Sequence, residues 1–392
     1  MHIAPPIDRI PEYIDGIEAF MDTILTNIVL LGQIPAPTFL EHNRTAALLD
    51  RLTEARVDEC TTDSYQNPIG IIRGNSQTQA PIFVVAHIDT SFGADVDHNF
   101  TVTAQHISGA GVLDNSIGVG VLTSLPEIFR RLDLEFQSDI VLAGVIQSIG
   151  KGNLRGIRHL LNTWSTPIRG AVCMESADLG RISHYSDGMI RGEVVCDALS
   201  GPEERRCLRP NAILVINEAI DQILTLRLPQ RPHTEIVIGT ISGGLKHGAP
   251  ANEARLGFEI RSDSDEMVKS LYTDILDIVE GLGHAYEIGL TFETISNINA
   301  ASLAHNHPLV KAVAQIMGVL AIPPKSRPSE SELSIFLSRN IPAVTLGITD
   351  GKRHQERAAS AHIAPISRGI AQIIATIQAI DGGVCDDIRA DI

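Results

Sequence analysis

Apolar residues recur at three- and four-residue steps through Ile17, Phe20, Met21, Ile24, Ile28 and Leu31. That interval places side chains on one face of an α-helix. A second stretch, from about 41 to 52, repeats the pattern. The grammar then changes. Short continuous apolar runs at 69–72, 82–86, 140–146 and 171–174 are bounded by turn residues and alternate with helical stretches at 118–132 and 153–161. Runs of β-branched residues at this length predict strands buried on both faces, hence an α/β architecture with functional residues in the loops at strand ends.

From about Asp187 the pattern shifts again. It predicts strands over 190–197, 233–242, 254–261 and 284–293, with helices over 211–226 and 263–282. The order βαββαβ describes a compact two-layer α+β unit. After Asn297 the buried-strand grammar returns, with helices over 309–320, 332–339 and 367–380 and a strand over 343–346. The economical reading is one α/β domain, 1–187 with 297–392, interrupted by an inserted α+β domain over 188–296.

Composition narrows the function classes. The 392 residues include 47 acidic and 31 basic side chains, for a net charge of −16. Such a surface repels phosphate backbones and anionic lipids, so neither nucleic-acid nor membrane binding is expected. The run 24–31 is too short to span a bilayer. No basic segment precedes an apolar one near Pro5, Pro6, Asp8 and Glu12, so no signal peptide is expected. Five scattered cysteines without CxxC spacing suggest a reducing compartment, by default the cytoplasm.

Candidate chemistry is dispersed. His87 and Asp89 follow the apolar run 82–86, and a carboxylate two residues from a histidine can fix its tautomer for metal binding. Asp114 ends the glycine-rich stretch Gly109-Ala110-Gly111-Val112-Leu113 just before a helix, where an aspartate is more often an N-cap. Glu175 follows the run 171–174, and His354 lies in a basic loop with Lys352, Arg353 and Arg357. Singly, each is an ordinary surface residue. Jointly, each falls after a candidate parallel strand, in an order that offers nitrogen and oxygen ligands to zinc.

On these segments the chain resembles the zinc-dependent exopeptidase and deacylase family that includes acetylornithine deacetylase, succinyl-diaminopimelate desuccinylase and glutamate carboxypeptidases. Ala86-His87-Ile88-Asp89-Thr90 is similar to its HxD segment, and Gly109 to Asn115 to its bridging-aspartate segment. Further similarity extends through 153–160, Glu175, 241–244 with 252–254, 307–310 and 341–347. The resemblance implies a zinc-exopeptidase-like, mostly parallel sheet domain with an inserted α+β dimerisation domain, and therefore a homodimer. It implies one metal site from His87, Asp114 and Glu175, with Asp89 orienting His87. The second would use Asp114 and His354.

The departures are equally specific. Where the family carries a Glu-Glu pair, this chain has Gln147-Ser148. Ser148 is a weak neutral ligand, and Gln147, at the base position, cannot take a proton from water at neutral pH. The lid-domain histidine of the family has no counterpart between Asp187 and Leu228, where Arg205 and Arg206 lie instead. Losing a general base costs roughly 10²–10⁴-fold in rate and losing an oxyanion donor roughly 10²–10³-fold. Asp178, Glu330 and Glu332 are the acids that could compensate, and Glu332 aligns with a family aspartate. The basic residues Lys352, Arg353, Arg357, Arg205 and Arg206 could clamp a carboxylate.

The expectation is a metallohydrolase-like protein holding one or two zinc ions and acting, with impaired efficiency, on an amide or peptide bond of a small substrate. The alternatives are a non-catalytic protein that binds a carboxylate ligand or protein partner in the same cleft, and a different single-metal reaction such as lyase or isomerase chemistry. Metal stoichiometry separates them.

Overall fold

A computed structural model describes residues 9–200, 210–354 and 358–386. The chain divides into two compact units, 1–185 with 302–392, and 186–301.

The first unit opens with α1 (Ile10–Glu18), α2 (Met21–Gly32) and α3 (His42–Glu54), each with an apolar stripe turned inward. Its strands begin with β1 (Glu59–Thr62), β2 (Pro68–Ile72), β3 (Ile82–His87), β4 (Thr101–Val102) and β5 (His106–Gly109). Then come α4 (Ile117–Arg131), β6 (Ile140–Val145), α5 (Arg155–Thr163), β7 (Gly170–Glu175) and β8 (Arg181–Ser183). The short β9 (Tyr185–Ser186) ends this run of the chain.

The second unit is β10 (Gly188–Asp197), α6 (Ala212–Leu224), β11 (Thr234–Gly243), β12 (Glu253–Ser262), α7 (Asp265–Tyr286) and β13 (Gly289–Ile298). The chain continues with β14 (Ala301–Ser302), α8 (Pro308–Val319), β15 (Lys325–Ser326), α9 (Glu332–Leu337) and β16 (Ala343–Gly347). It closes with β17 (Gly351–His354), β18 (Ala358–His362) and α10 (Ile366–Asp381).

An eight-stranded sheet, ordered β1-β2-β6-β3-β7-β16-β8-β15, organises the first unit. β3 runs parallel to both β6 and β7, and β7 runs parallel to β16. Every residue of β3 and β6 is buried, which requires cover on both faces and explains their uninterrupted apolar sequences. α4, α9 and α10 pack against the central strands. A separate antiparallel sheet, β17-β18-β5-β4, is made of short polar strands that carry little hydrophobic signal. It corrects two expectations. His354 ends a strand rather than lying in a loop, and the chain reaches Asp114 from β5 of this small sheet rather than from a parallel strand.

In the second unit the sheet β11-β12-β10-β13 is antiparallel throughout. Val194, Leu256, Phe258 and Ile260 of its strands form a core with Val215 and Ile216 of α6 and Leu271 and Ile275 of α7. β12 alternates buried with half-exposed positions, as a sheet covered on one face must. Ion pairs Arg191–Glu259, Arg261–Glu259 and Arg255–Glu193 join strand residues outside that core. The expected strand over 284–293 is displaced. α7 runs through Gly281 and Gly283 to Tyr286, Glu287 closes it in the left-handed region (φ 53°), and β13 starts at Gly289. The two glycines read as a helix end, but the helix continues past them to its cap.

One buried cation fixes the entry to the central strands. Arg44 of α3 is 1% exposed, and burial lowers its pKa to about 10 despite the nearby charge of Asp89. Its guanidinium donates to the carbonyl oxygens of Gly32 and Ile88, each at 3.0 Å, and to that of Ile34. The loop after α2 is thereby tied to the residue that follows His87. Arg44→Met should strand these carbonyls without donors, lowering stability by roughly 3 kcal/mol, read as a fall in Tm. An unchanged Tm would mean that the loop is held by other contacts.

Candidate metal centre

The parallel register explains why two dispersed residues meet. Val85 of β3 pairs with Cys173 of β7. Two residues farther along both strands, at their final positions, stand His87 and Glu175, on the same face of the sheet because side chains alternate. Asp114 arrives by another route. Gly111 turns the chain in the left-handed region (φ 72°), and Asp114 itself is extended (φ −158°). It is therefore not a helix N-cap, since α4 begins only at Ile117.

Asn115 locks this turn to β7. Its Oδ1 accepts from the backbone N–H of Ser176 at 2.8 Å and from the Ser176 hydroxyl at 2.9 Å, while its Nδ2 donates to the Met174 carbonyl at 2.9 Å. The side chain folds over the start of α4, where a Cβ at position 118 would lie 2.3 Å from Asn115 Oδ1, so residue 118 is glycine.

These constraints bring ligand atoms of His87, Asp114 and Glu175 within 4.8 Å of one another, the one such cluster among the described residues. His87 Nε2 is 3.3 Å from Asp114 Oδ1 and 4.0 Å from Glu175 Oε2. His87 Nδ1 is 3.1 Å from the Asp89 carbonyl oxygen, which can only accept, so Nδ1 carries a proton. In a neutral ring the Nε2 lone pair then faces two carboxylates. That arrangement is repulsive unless a proton or a metal cation lies between them, and nitrogen with two carboxylates is a donor set that suits a divalent transition ion. The residues present fit such an ion.

The electrostatics agree. Burial opposes charge on His87, yet the carboxylates of Asp114, Asp89 and Glu175 beside it hold its pKa well above the usual histidine range. Burial raises the Glu175 carboxyl, with His87 and Arg181 pulling the other way. Burial also acts upward on Asp114, but His87 and Arg353 hold it below the usual carboxylate range.

Asp89 is fully buried, and its two oxygens have different tasks. Oδ1 lies 3.5 Å from His87 Nδ1 and has no hydrogen-bond partner. Oδ2 accepts from Thr38 Oγ1 and from the backbone N–H groups of Ser148 and Ile149, each at 2.9 Å. The turn at 147–149 is thus anchored on the same side chain that backs His87. Gln147 takes a left-handed conformation (φ 52°). Its N–H donates to Glu41 Oε1 at 3.0 Å, and its side-chain oxygen accepts from the Tyr65 hydroxyl at 2.8 Å. The Tyr65 ring stacks on His159 at 5.0 Å.

Of the three compensating acids, Asp178 pairs with Arg327 at 3.1 Å and Glu330 is half-buried, whereas Glu332 is buried against Ser148. His354 closes β17, opposite Ala358 of β18, and its side chain lies outside the described residues, as do Arg205, Arg206 and Arg357. Lys352 is exposed on β17.

Sequence reasoning did not find Glu41, Tyr65 or Asn115. Glu41 reads as an ordinary residue before a helix, and its role depends on a contact 106 positions away. Asn115, adjacent to Asp114, carried the one local signal, a polar residue inside a glycine-rich turn.

No family model matches the chain, and no curated protein matches it. Solved structures do. The di-peptidase Dug1p of Saccharomyces cerevisiae aligns with a TM-score of 0.74 at 10% identity, covering 97% of this chain and 99% of that one. A tripeptidase from Staphylococcus aureus gives 0.71 at 17% identity, covering 92% and 98%. A dinuclear metal binding peptidase of the M20 family from Bacillus subtilis gives 0.60 at 15% identity, covering 93% and 98%. Near-complete coverage in both directions extends well beyond the parallel sheet alone. The chain therefore has the fold of the M20-type metallopeptidases, the zinc exopeptidase and deacylase family that its sequence resembles.

Proposed function

We propose that the protein is a metal-dependent hydrolase acting on an amide or peptide bond of a small substrate. The observation that carries this reading is the convergence of His87, Asp114 and Glu175 around one point, with Nε2 turned toward both carboxylates. The fold shared with peptidases supports it. A zinc ion held by these three residues would supply Lewis acidity toward a carbonyl oxygen and toward water. Asp89 fixes the tautomer and orientation of His87 and, through Ser148 and Ile149, the position of the neighbouring turn. Gln147 supplies hydrogen bonding but no proton acceptor, which sets the expected rate well below that of an enzyme with a carboxylate there.

The residue at 147 also favours a second reading, a protein that binds a carboxylate ligand without cleaving it. Metal content and turnover separate the two. Protein loaded with zinc should hydrolyse members of a panel of dipeptides and N-acyl amino acids, and lose that activity in EDTA and in His87→Ala. Turnover insensitive to both changes would overturn the metallohydrolase reading, and metal binding without turnover would favour the second.

Gln147→Glu should raise kcat by roughly 10²–10⁴-fold, because the new carboxylate can accept the same Tyr65 hydrogen bond. No gain would place proton transfer on another residue.

We also infer a homodimer through the inserted unit. Among the described residues its β11 is an edge strand with one side unpaired, the kind of edge that templates pairing with another chain. Ile241 on that strand is 59% exposed, and Leu224 of α6 is 65% exposed. Sedimentation should give two chains per particle, with Ile241→Glu shifting the population toward one. A monomeric wild type would refute the dimer.

A further inference from the structure

Ser148 stands where the family likeness calls for an anionic metal ligand, and it is not alone there. Its hydroxyl donates to Glu332 Oε1 at 2.5 Å. Glu332 opens α9, all six residues of which are buried, and the helix packs against β7 and β16. The residue is 3% exposed, and among the described residues no basic side chain forms an ion pair with it and nothing donates to Oε2. A buried carboxylate with a single neutral donor is costly to keep unless a cation compensates it.

Glu332 is connected to the metal centre by contacts. Ser148 receives its carboxylate on one side and is held by Asp89 on the other, and Asp89 backs His87. A serine hydroxyl hydrogen-bonded to a carboxylate has about the reach of a glutamate side chain at the same position.

We infer that Glu332, delivered from α9, is the anionic ligand of a second divalent-cation position beside His87, Asp114 and Glu175, with Ser148 as the hydrogen-bond donor that aims it. The inference rests on the metallohydrolase reading and deepens it. The carboxylate absent from the turn after β6 is restored by a different element. The hydroxyl occupies Oε1, which leaves Oε2 for the cation.

The test is zinc stoichiometry and affinity, measured by titration of the metal-free protein and by metal analysis after dialysis. Wild type should hold two ions per chain. Glu332→Gln keeps the size and the Ser148 hydrogen bond but not the charge. It should hold one ion, with the other position weakened beyond the roughly 10–100-fold expected of an outer partner. Ser148→Ala removes only the aiming contact and should weaken that position about tenfold. Should Glu332→Gln fail to fold, Glu332→Asp retains the charge one methylene short and should weaken the same position.

Two ions at wild-type affinity in the Glu332 variants would overturn the inference while leaving the metal centre intact. So would one ion in wild type, or loss of the second ion in Ser148→Ala alone. No ion in wild type would overturn the metallohydrolase reading itself, and this inference with it.

Discussion

Asp89 is the side chain on which the rest of the centre depends. A carboxylate with no exposed surface survives only if its charge is met on all sides, and here three donors meet Oδ2 while His87 faces Oδ1. The consequence is rigid coupling. The end of β3, the loop carrying Thr38 and the turn at 147–149 cannot move independently, because all three close on one residue. Arg44 reinforces this from behind by holding the Ile88 carbonyl between His87 and Asp89. Two buried charges of opposite sign, each satisfied mainly by backbone groups, thus set the geometry of a strand end.

Against that frame the excess of acid is telling. Asp114 and Glu175 approach one imidazole, Glu332 lies one hydrogen bond beyond Ser148, and Arg181 and Arg353 act on Glu175 and Asp114 through their charge. A protein gathers carboxylates this way at a cost in self-repulsion, which a divalent cation would offset. The same carboxylates that raise the His87 pKa are the ones that would share a cation with its Nε2. Where the resemblance calls for an acidic pair and the chain has Gln147-Ser148, the proposed role of Glu332 would supply the negative charge from a different element.

The parallel sheet was legible because β3, β6 and β7 are buried on both faces and so carry nearly unbroken apolar sequence, which polar loops then punctuate. His87 and Glu175 were legible for the same reason, as polar residues ending such runs. The small sheet was not, because Thr101–Val102 and His106–Gly109 are short and partly exposed, and their pairing with β18 is long-range. That hid how Asp114 and His354 are presented. The boundary between α7 and β13 was blurred by glycines inside a helix. Glu332 could be proposed by spacing, but its contact with Ser148 spans 184 residues and only the fold supplies it.

The central claim is that His87, Asp114 and Glu175 surround a cation. Anomalous scattering at the zinc absorption edge, from crystals grown with zinc, tests it most directly. A strong peak is expected within bonding distance of His87 Nε2 and of a carboxylate oxygen from each of Asp114 and Glu175. A map with no peak there, or with zinc bound only elsewhere on the chain, would contradict it.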